Sequence, residues 1–204
     1  RYAWANRLRA SMGLFEQEFK EVGSRVLLPE TAYVSKSFQG GVSENVIDTE
    51  GGRNTSDWKW ALLRGGTSDT CLAQYFPRTM GVIDSLDSRV HTVFFSMLDE
   101  GRSLPPHCGE LRSLFRFILI LNGEPREEGG ALAEMGVYRD HEACYEHFAK
   151  PCPSETTEDD SRWERVTYKA GDTVLFNDFC CHYVKNMGAG PRLALIMNIE
   201  RDDV

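Results

Sequence analysis

The sequence predicts a mainly β fold in which N-terminal helices precede a jelly-roll core, a double-stranded β-helix of short antiparallel strands. Three observations carry that expectation. Apolar residues recur every three to four positions over residues 1–27, and from residue 80 onward the spacing turns to that of strands. Short β-branched and aromatic runs are then separated by turns rich in Gly, Asn and Asp. Finally, 204 residues with 41% apolar content are enough for one sizeable core, and no internal repeat or compositional break marks a second unit. The expected organisation is a single domain over 1–204. Residues 1–57 form a helical and loop region, and 58–204 form the β core, with an insertion at about 124–163.

Each element has its own reason. Residues 1–27 read as helical, because Trp4, Leu8, Met12, Phe15, Phe19 and Val22 recur every three to four positions with charges between. Residues 28–57, with Gly pairs at 40–41 and 51–52, read as irregular loop with room for one short strand. Trp58–Leu63 is a short strand stopped by Gly65-Gly66, and Ser68–Phe76 reads as a short helix capped by Ser68 or Asp69. Val90–Leu98 is a strand closed by the Asp99-Glu100-Gly101 turn. Leu114–Leu121 is almost continuously apolar, which predicts a strand buried on both faces. Arg165–Tyr168 and Thr173–Phe176, joined by Ala170-Gly171-Asp172, read as a hairpin, and Arg192–Ile199 is the last strand. The stretch 124–163 reads as polar loop, with a helix over 140–149 and an acidic run at 155–160.

Charge and composition exclude some functions. A net charge of −8 argues against a nucleic-acid binder, which would present a basic face. No apolar run approaches the ~18 residues that span a bilayer. The chain lacks an initiating Met and a signal-like stretch, so it reads as a piece of a longer protein whose address is not legible here. Six cysteines are too few for a disulfide scaffold. A Cys144–Cys152 bridge fits the loop-like segment, and His141, His147, Cys144 and Cys152 follow no standard zinc spacing. Asn54-Thr55-Ser56 matches a glycosylation acceptor, a triplet common by chance.

Two histidines carry the chemistry. In "LPPHCGELRSLFRF" (104–117), Pro105 and Pro106 hold the approach to His107 in an extended geometry. In "FNDFCCHYVKNMGAGPRLAL" (176–195), His182 follows the Thr173–Phe176 strand, and Arg192 opens the last one. Two imidazoles on different strands plus an arginine on a third suit a jelly-roll metal oxygenase. Ferrous iron takes imidazole readily and needs open positions for a chelating co-substrate and oxygen. An arginine fork would neutralise the far carboxylate of a dianionic co-substrate.

The segment from about residue 58 to 204 resembles the catalytic domain of the aspartyl/asparaginyl β-hydroxylase family. The resemblance rests on "QYFPRTMG" (74–81), Ser96 eleven residues before His107 of "PPHCG", Arg116, "GDTVLFNDFCCHYVKN" (171–186) and "PRLALI" (191–196), in order. It implies a cupin-like jelly roll that uses Fe(II), 2-oxoglutarate and O2 to hydroxylate an unactivated C–H bond. The implied target is the β-carbon of an aspartyl or asparaginyl group in a peptide, an amino acid or another small acid. Under it His107 and His182 are the iron ligands. Arg192, helped by the Ser96 hydroxyl, holds the distal carboxylate of 2-oxoglutarate, and Arg116 meets an anionic group of co-substrate or substrate. Gly109 stands where most iron oxygenases carry a carboxylate, as glycine does in this family, so the third position falls to water, Glu110 or Asp178. Asp178 matches an acid that recurs in the family four residues before the second histidine and is placed behind the ligands. Ile118 replaces a family histidine, and the 124–163 insertion exceeds the family's turn, overhanging the site mouth.

His91, Cys108, Trp58 and Trp60 fit ordinary packing, and Arg112 fits a solvated surface. A non-catalytic jelly-roll domain binding a ligand or partner, or a lipid-chain hydroxylase of the same family, stands as the other reading.

Overall fold

The computed structural model describes residues 3–26, 58–66, 68–86, 89–109, 113–139, 152 and 161–200. The expectations for 28–57, the 140–149 helix, the acidic run, His141, Cys144, His147, Asn54, Glu110 and Arg112 lie outside the described residues.

The helical region expected over 1–27 consists of two helices, α1 (Ala3–Ala10) and α2 (Met12–Val26). The Ser11 N–H bonds to both Arg7 and Leu8 carbonyls, at 3.1 and 3.0 Å, so the chain turns there without leaving helical geometry. Among the described residues ten strands follow: β1 (Trp58–Gly65), β2 (Ser68–Asp69), β3 (Val90–Leu98), β4 (Ser103–His107), β5 (Leu114–Asn122), β6 (Ala133–Tyr138), β7 (Trp163–Tyr168), β8 (Thr173–Asn177), β9 (His182–Asn186) and β10 (Arg192–Glu200). They form a six-stranded sheet, β2-β1-β3-β10-β5-β8, facing a four-stranded one, β4-β9-β6-β7, with antiparallel pairings throughout. The protein is therefore mainly β and of jelly-roll type, with its helices at the N-terminal side of the chain.

The large sheet is buried on both faces, which explains the unbroken apolar run of β5. Its odd-numbered residues Val93, Phe95, Phe117, Leu119, Leu195 and Met197 pack under Leu8, Phe15 and Phe19 of the helices. The even-numbered Phe94, Ile118, Ile120, Ala194 and Ile196 point the other way, toward Met135 and Val184 of the small sheet. Period-two alternation thus sorts one strand set between two cores. The predicted stripe of Trp4, Leu8, Met12, Phe15, Phe19 and Val22 lies wholly against the first of these.

Three local expectations give way to tertiary structure. Residues 68–76 are not one helix. Ser68 and Asp69 pair with β1, where Arg64 bonds Asp69, and a 3-10 turn (Ala73–Tyr75) leads into α3 (Pro77–Asp84). Pro77 opens α3, and the buried Glu18 carboxylate accepts the backbone N–H groups of Arg78 and Thr79 at 2.9 and 2.7 Å, capping its N-terminus from α2. Residues 165–176 are not a hairpin. β7 pairs with β6 in the small sheet and β8 with β5 in the large one, so Ala170-Gly171-Asp172 crosses between sheets. Gly171, at φ +84°, donates to the Ile120 carbonyl, and the Ile120 N–H bonds the Asp172 carbonyl, fixing the crossing on β5. Nor is 124–163 loop throughout, because residues 133–138 form β6, an interior strand of the small sheet. Gly136 is needed there, since a Cβ would overlap the ring of Tyr183.

Candidate active site

His107 ends β4 and His182 begins β9, and the two are direct partners across that antiparallel pair. Both rings turn into the space between the sheets, their centroids 4.2 Å apart. Each Nδ1 lies against a backbone carbonyl two residues earlier: Pro105 O at 2.7 Å for His107 and Cys180 O at 2.8 Å for His182. A carbonyl only accepts, so Nδ1 carries the proton on both rings and Nε2 keeps its lone pair. Pro105 thus both stiffens the approach and sets the tautomer. Burial drives both imidazole pKa values down to about 3, helped by the neighbouring His182 for His107 and by Arg116 for His182. Neutral, oriented, Nε2-bearing imidazoles side by side are the form a divalent transition metal takes.

Behind them lies an ion pair. Asp178, just past β8, accepts Arg116 Nη2 at 2.8 Å, and Asn198, the β10 partner of Arg116, accepts its Nε at 3.0 Å. Asp178 Oδ1 is buried without a hydrogen-bond partner and lies 3.6 Å from His182 Nε2. Burial raises the Asp178 carboxyl above its ordinary range, against the pull of Arg116 and His107. Gly109 explains how this acid fits, because a Cβ at that position would overlap the Asp178 carboxylate, and the Gly109 N–H bonds the Asp178 carbonyl at 2.7 Å. The carboxylate of Asp178 therefore fills the space that a side chain on residue 109 would take. It does not close a three-ligand cluster with the histidines. Among the described residues, the group of three ligating side chains with mutually close donor atoms is Cys108, Cys152 and Cys181.

Arg192 is also buried between the sheets. It is 3% exposed, its Nε has no hydrogen-bond partner, and burial lowers its pKa to about 10, so it stays charged at neutral pH. Apolar Ile118, Ile120, Met135, Val174 and Val184 line the same pocket. Val184, which lines this pocket, is two residues beyond His182 on the same face of β9. A buried cation among aliphatic side chains calls for an anion from outside. Ser96, fully buried, shares the inner face, but its hydroxyl oxygen accepts Trp58 Nε1 at 2.9 Å. Trp58 in turn stacks on Trp60, with centroids 6.2 Å apart.

The structure thus brings His107, His182, Asp178 and Arg116 together and sets Arg192 and Ser96 in the adjoining interior. One Arg116 nitrogen, Nη2, is engaged within the chain by Asp178. One expectation changes. Cys152 bridges Cys181 rather than Cys144. Two positioning residues carried no sequence signal beyond being asparagines in or beside strands. Asn198 holds Arg116, and Asn186 donates to the Leu98, Asp99 and Gly190 carbonyls while accepting the Gly188 N–H, fixing the loop that delivers Arg192.

Comparison with solved structures finds low-level likeness. Peruvianin-I, a cysteine peptidase from Thevetia peruviana latex, is 12% identical over 71% of this chain and 62% of its own, with a TM-score of 0.39. An oxalate oxidase in complex with glycolate is 13% identical over 71% and 51%, TM-score 0.39, and KdgF from a Halomonas species is 9% identical over 72% and 83%, TM-score 0.38. The chain spans about half to three-fifths of the length of the first two, and likeness at this level bears on neither activity nor ligand. No curated protein matches. The family profile of aspartyl/asparaginyl beta-hydroxylase matches residues 8–143, which include His107, Gly109 and Arg116, while His182 and Arg192 lie beyond the matched stretch. With about two thirds of its length matched, the chain belongs to the aspartyl/asparaginyl beta-hydroxylase family.

Proposed function

We propose that this protein is an Fe(II)- and 2-oxoglutarate-dependent dioxygenase that hydroxylates an unactivated C–H bond, the β-carbon of an aspartyl or asparaginyl group in a peptide or small acid. The observation that carries the reading is the pairing of two neutral imidazoles, both protonated at Nδ1, on the sheet that faces a buried arginine with no anionic partner among the described residues. The residues fit the group they would hold. Nε2 of His107 and of His182 would ligate the metal, and the partnerless Asp178 Oδ1 would accept a proton from a water in the third position. Ferrous iron, when bound, supplies the redox chemistry that couples oxidation of 2-oxoglutarate by dioxygen to oxygen insertion into a C–H bond.

The chain's own residues do the rest. Arg192 neutralises and orients the distal carboxylate of the co-substrate, in a pocket whose aliphatic walls exclude water and strengthen the pair. Arg116 pairs with Asp178 beside His182 and draws its carboxyl toward the ionised form, against the effect of burial. The pocket lining of Ile118, in place of the family's histidine, leaves substrate recognition to other groups. The decisive assay incubates the chain with Fe(II), 2-oxoglutarate and candidate peptides or amino acids, following succinate and an added oxygen atom by mass spectrometry. Succinate formation supports the proposal. Its absence, with folded protein and bound metal, leaves a ligand-binding jelly roll.

A further inference from the structure

Three cysteines from separate parts of the chain bring their sulfurs together behind the two imidazoles. Side chains alternate along a strand, so with His107 and His182 facing inward, Cys108 and Cys181 face the other side of the small sheet. They stand one step past the His107–His182 pair in the same antiparallel register, which makes them cross-strand neighbours. Cys152 reaches them from the connection between β6 and β7. All three donor atoms lie within 4.8 Å of one another, with Cys108 Sγ 2.8 Å from Cys152 Sγ and 3.1 Å from Cys181 Sγ. Trp163, Tyr138 and Tyr183 pack around them. Trp163 is 3% exposed, and its indole N–H has no hydrogen-bond partner among the described residues.

The Cys152–Cys181 bridge accounts for two of these sulfurs and leaves unexplained why the third lies against both. Three convergent thiolates are the donor set of a soft divalent cation, and of zinc in particular. We propose that, in the reduced chain, Cys108, Cys152 and Cys181 bind one Zn2+ ion through their thiolates, at a site separate from the imidazole pair. Bridge and metal are alternative uses of the same two sulfurs, so the site belongs to the reduced chain only. Thiolates held at ~2.3 Å from zinc in a tetrahedron lie roughly 3.7 Å apart, so Cys108 recedes by less than about 1 Å from either partner. Half-exposed Cys108 and Cys152 leave the ion a path from solvent, and buried Cys181 closes the inner side. Three thiolates around Zn2+ carry one net negative charge, and the unused Trp163 N–H is a buried donor in the same packed group that such sulfurs can accept. The two sites differ in softness, because imidazole suits ferrous iron while thiolate selects zinc. The ligands include the residue after His107 and the residue before His182. The ion therefore fastens β4, β9 and the β6–β7 connection to one another directly behind both imidazoles, where the bridge ties only β9 to that connection.

The test reads sulfur–metal bonding in the full chain and involves no turnover, so its failure is distinct from failure of the dioxygenase reading. The protein is reduced with a phosphine in the absence of oxygen and titrated with Co2+, then with Zn2+. Co2+ should give a near-ultraviolet thiolate-to-metal charge-transfer band, which the imidazole pair cannot produce, and Zn2+ should bleach it. Saturating Zn2+ should slow alkylation at Cys108, Cys152 and Cys181 by at least about tenfold, followed peptide by peptide by mass spectrometry, while exposed Cys71 reacts as before. Cys108→Ser and Cys181→Ser should each weaken metal binding at this site by at least about 100-fold, since each removes one of three ligands. Absence of the charge-transfer band in the folded, reduced wild-type chain overturns the proposal, whether or not the variants fold. So does a band that persists unchanged in folded Cys108→Ser, or a Cys152–Cys181 bridge that resists reduction while the chain stays folded.

Discussion

Replacing Arg192 with methionine should make the empty protein more stable and its co-substrate binding much weaker. The guanidinium is 3% exposed and lined by aliphatic side chains, and burial alone lowers its pKa from 12.5 to about 10. A drop of that size disfavours the charged form in the folded chain by roughly 3 kcal/mol. For a base with a depressed folded pKa, that penalty is present wherever the group is charged in both states, below about pH 10, and so applies in full at neutral pH. Methionine removes the charge and keeps a similar stem, losing part of the gain to imperfect filling of the pocket. A net stabilisation of about 1–2 kcal/mol is expected in the absence of co-substrate, which is the sign buried unpaired charges give when replaced. The same change removes a charge-assisted pair worth ~1.5–3 kcal/mol, so half-saturation by 2-oxoglutarate should rise roughly 10- to 150-fold. Thermal unfolding with and without 2-oxoglutarate reads both effects at once. The wild-type chain should gain stability from the co-substrate, and Arg192→Met should start higher and gain far less at the same concentration. A variant less stable than wild type by 1 kcal/mol or more, with its co-substrate response intact, would refute the argument.

Other expectations follow from the same geometry. His107→Ala and His182→Ala should each reduce Mn2+ or Co2+ affinity by at least about 100-fold, measured by calorimetry, because each removes one of two imidazole ligands. Without metal, stability should hold above pH about 6.5 and fall as pH drops toward 3. Unfolded imidazoles take up protons there that the buried ones, with pKa values near 3, refuse; a flat unfolding temperature from pH 7 to 4 would contradict this. Gly109→Ala should place a methyl in the Asp178 carboxylate, break its pair with Arg116 and lower stability by about 2–4 kcal/mol in urea titrations. Glu18→Ala should cost about 1–2 kcal/mol by uncapping α3, with metal affinity unchanged.

Much of the strand inventory was legible because it is local. Val90–Leu98 was read to the residue, and the helical stripe faces one core as its spacing requires. What failed was pairing. Nothing in Arg165–Phe176 says that β7 and β8 belong to different sheets, because a tight hairpin and a sheet-to-sheet crossing use the same turn residues. β6 was hidden for a related reason: its alternation of Ala133, Met135 and Val137 is short and set in polar sequence, and only β9 and β7 on either side make it a strand. Asp69 and Thr70 went into a bridge and a turn because Arg64 and the Leu62 carbonyl capture them from β1.

The sequence by itself determined which residue types were available to the chemistry: two histidines at strand ends, an arginine opening the last strand, and a glycine where an acid is usual. Those follow from identity and order along the chain. Tertiary structure alone decided that Asp178 enters the space beside Gly109, that Arg116 is held by Asp178 and Asn198, and that Cys152 reaches Cys181 rather than Cys144. Each of these is a contact between segments distant in sequence, chosen by how two sheets stack and which side chains then compete for one volume. Local propensity carries no information about that competition.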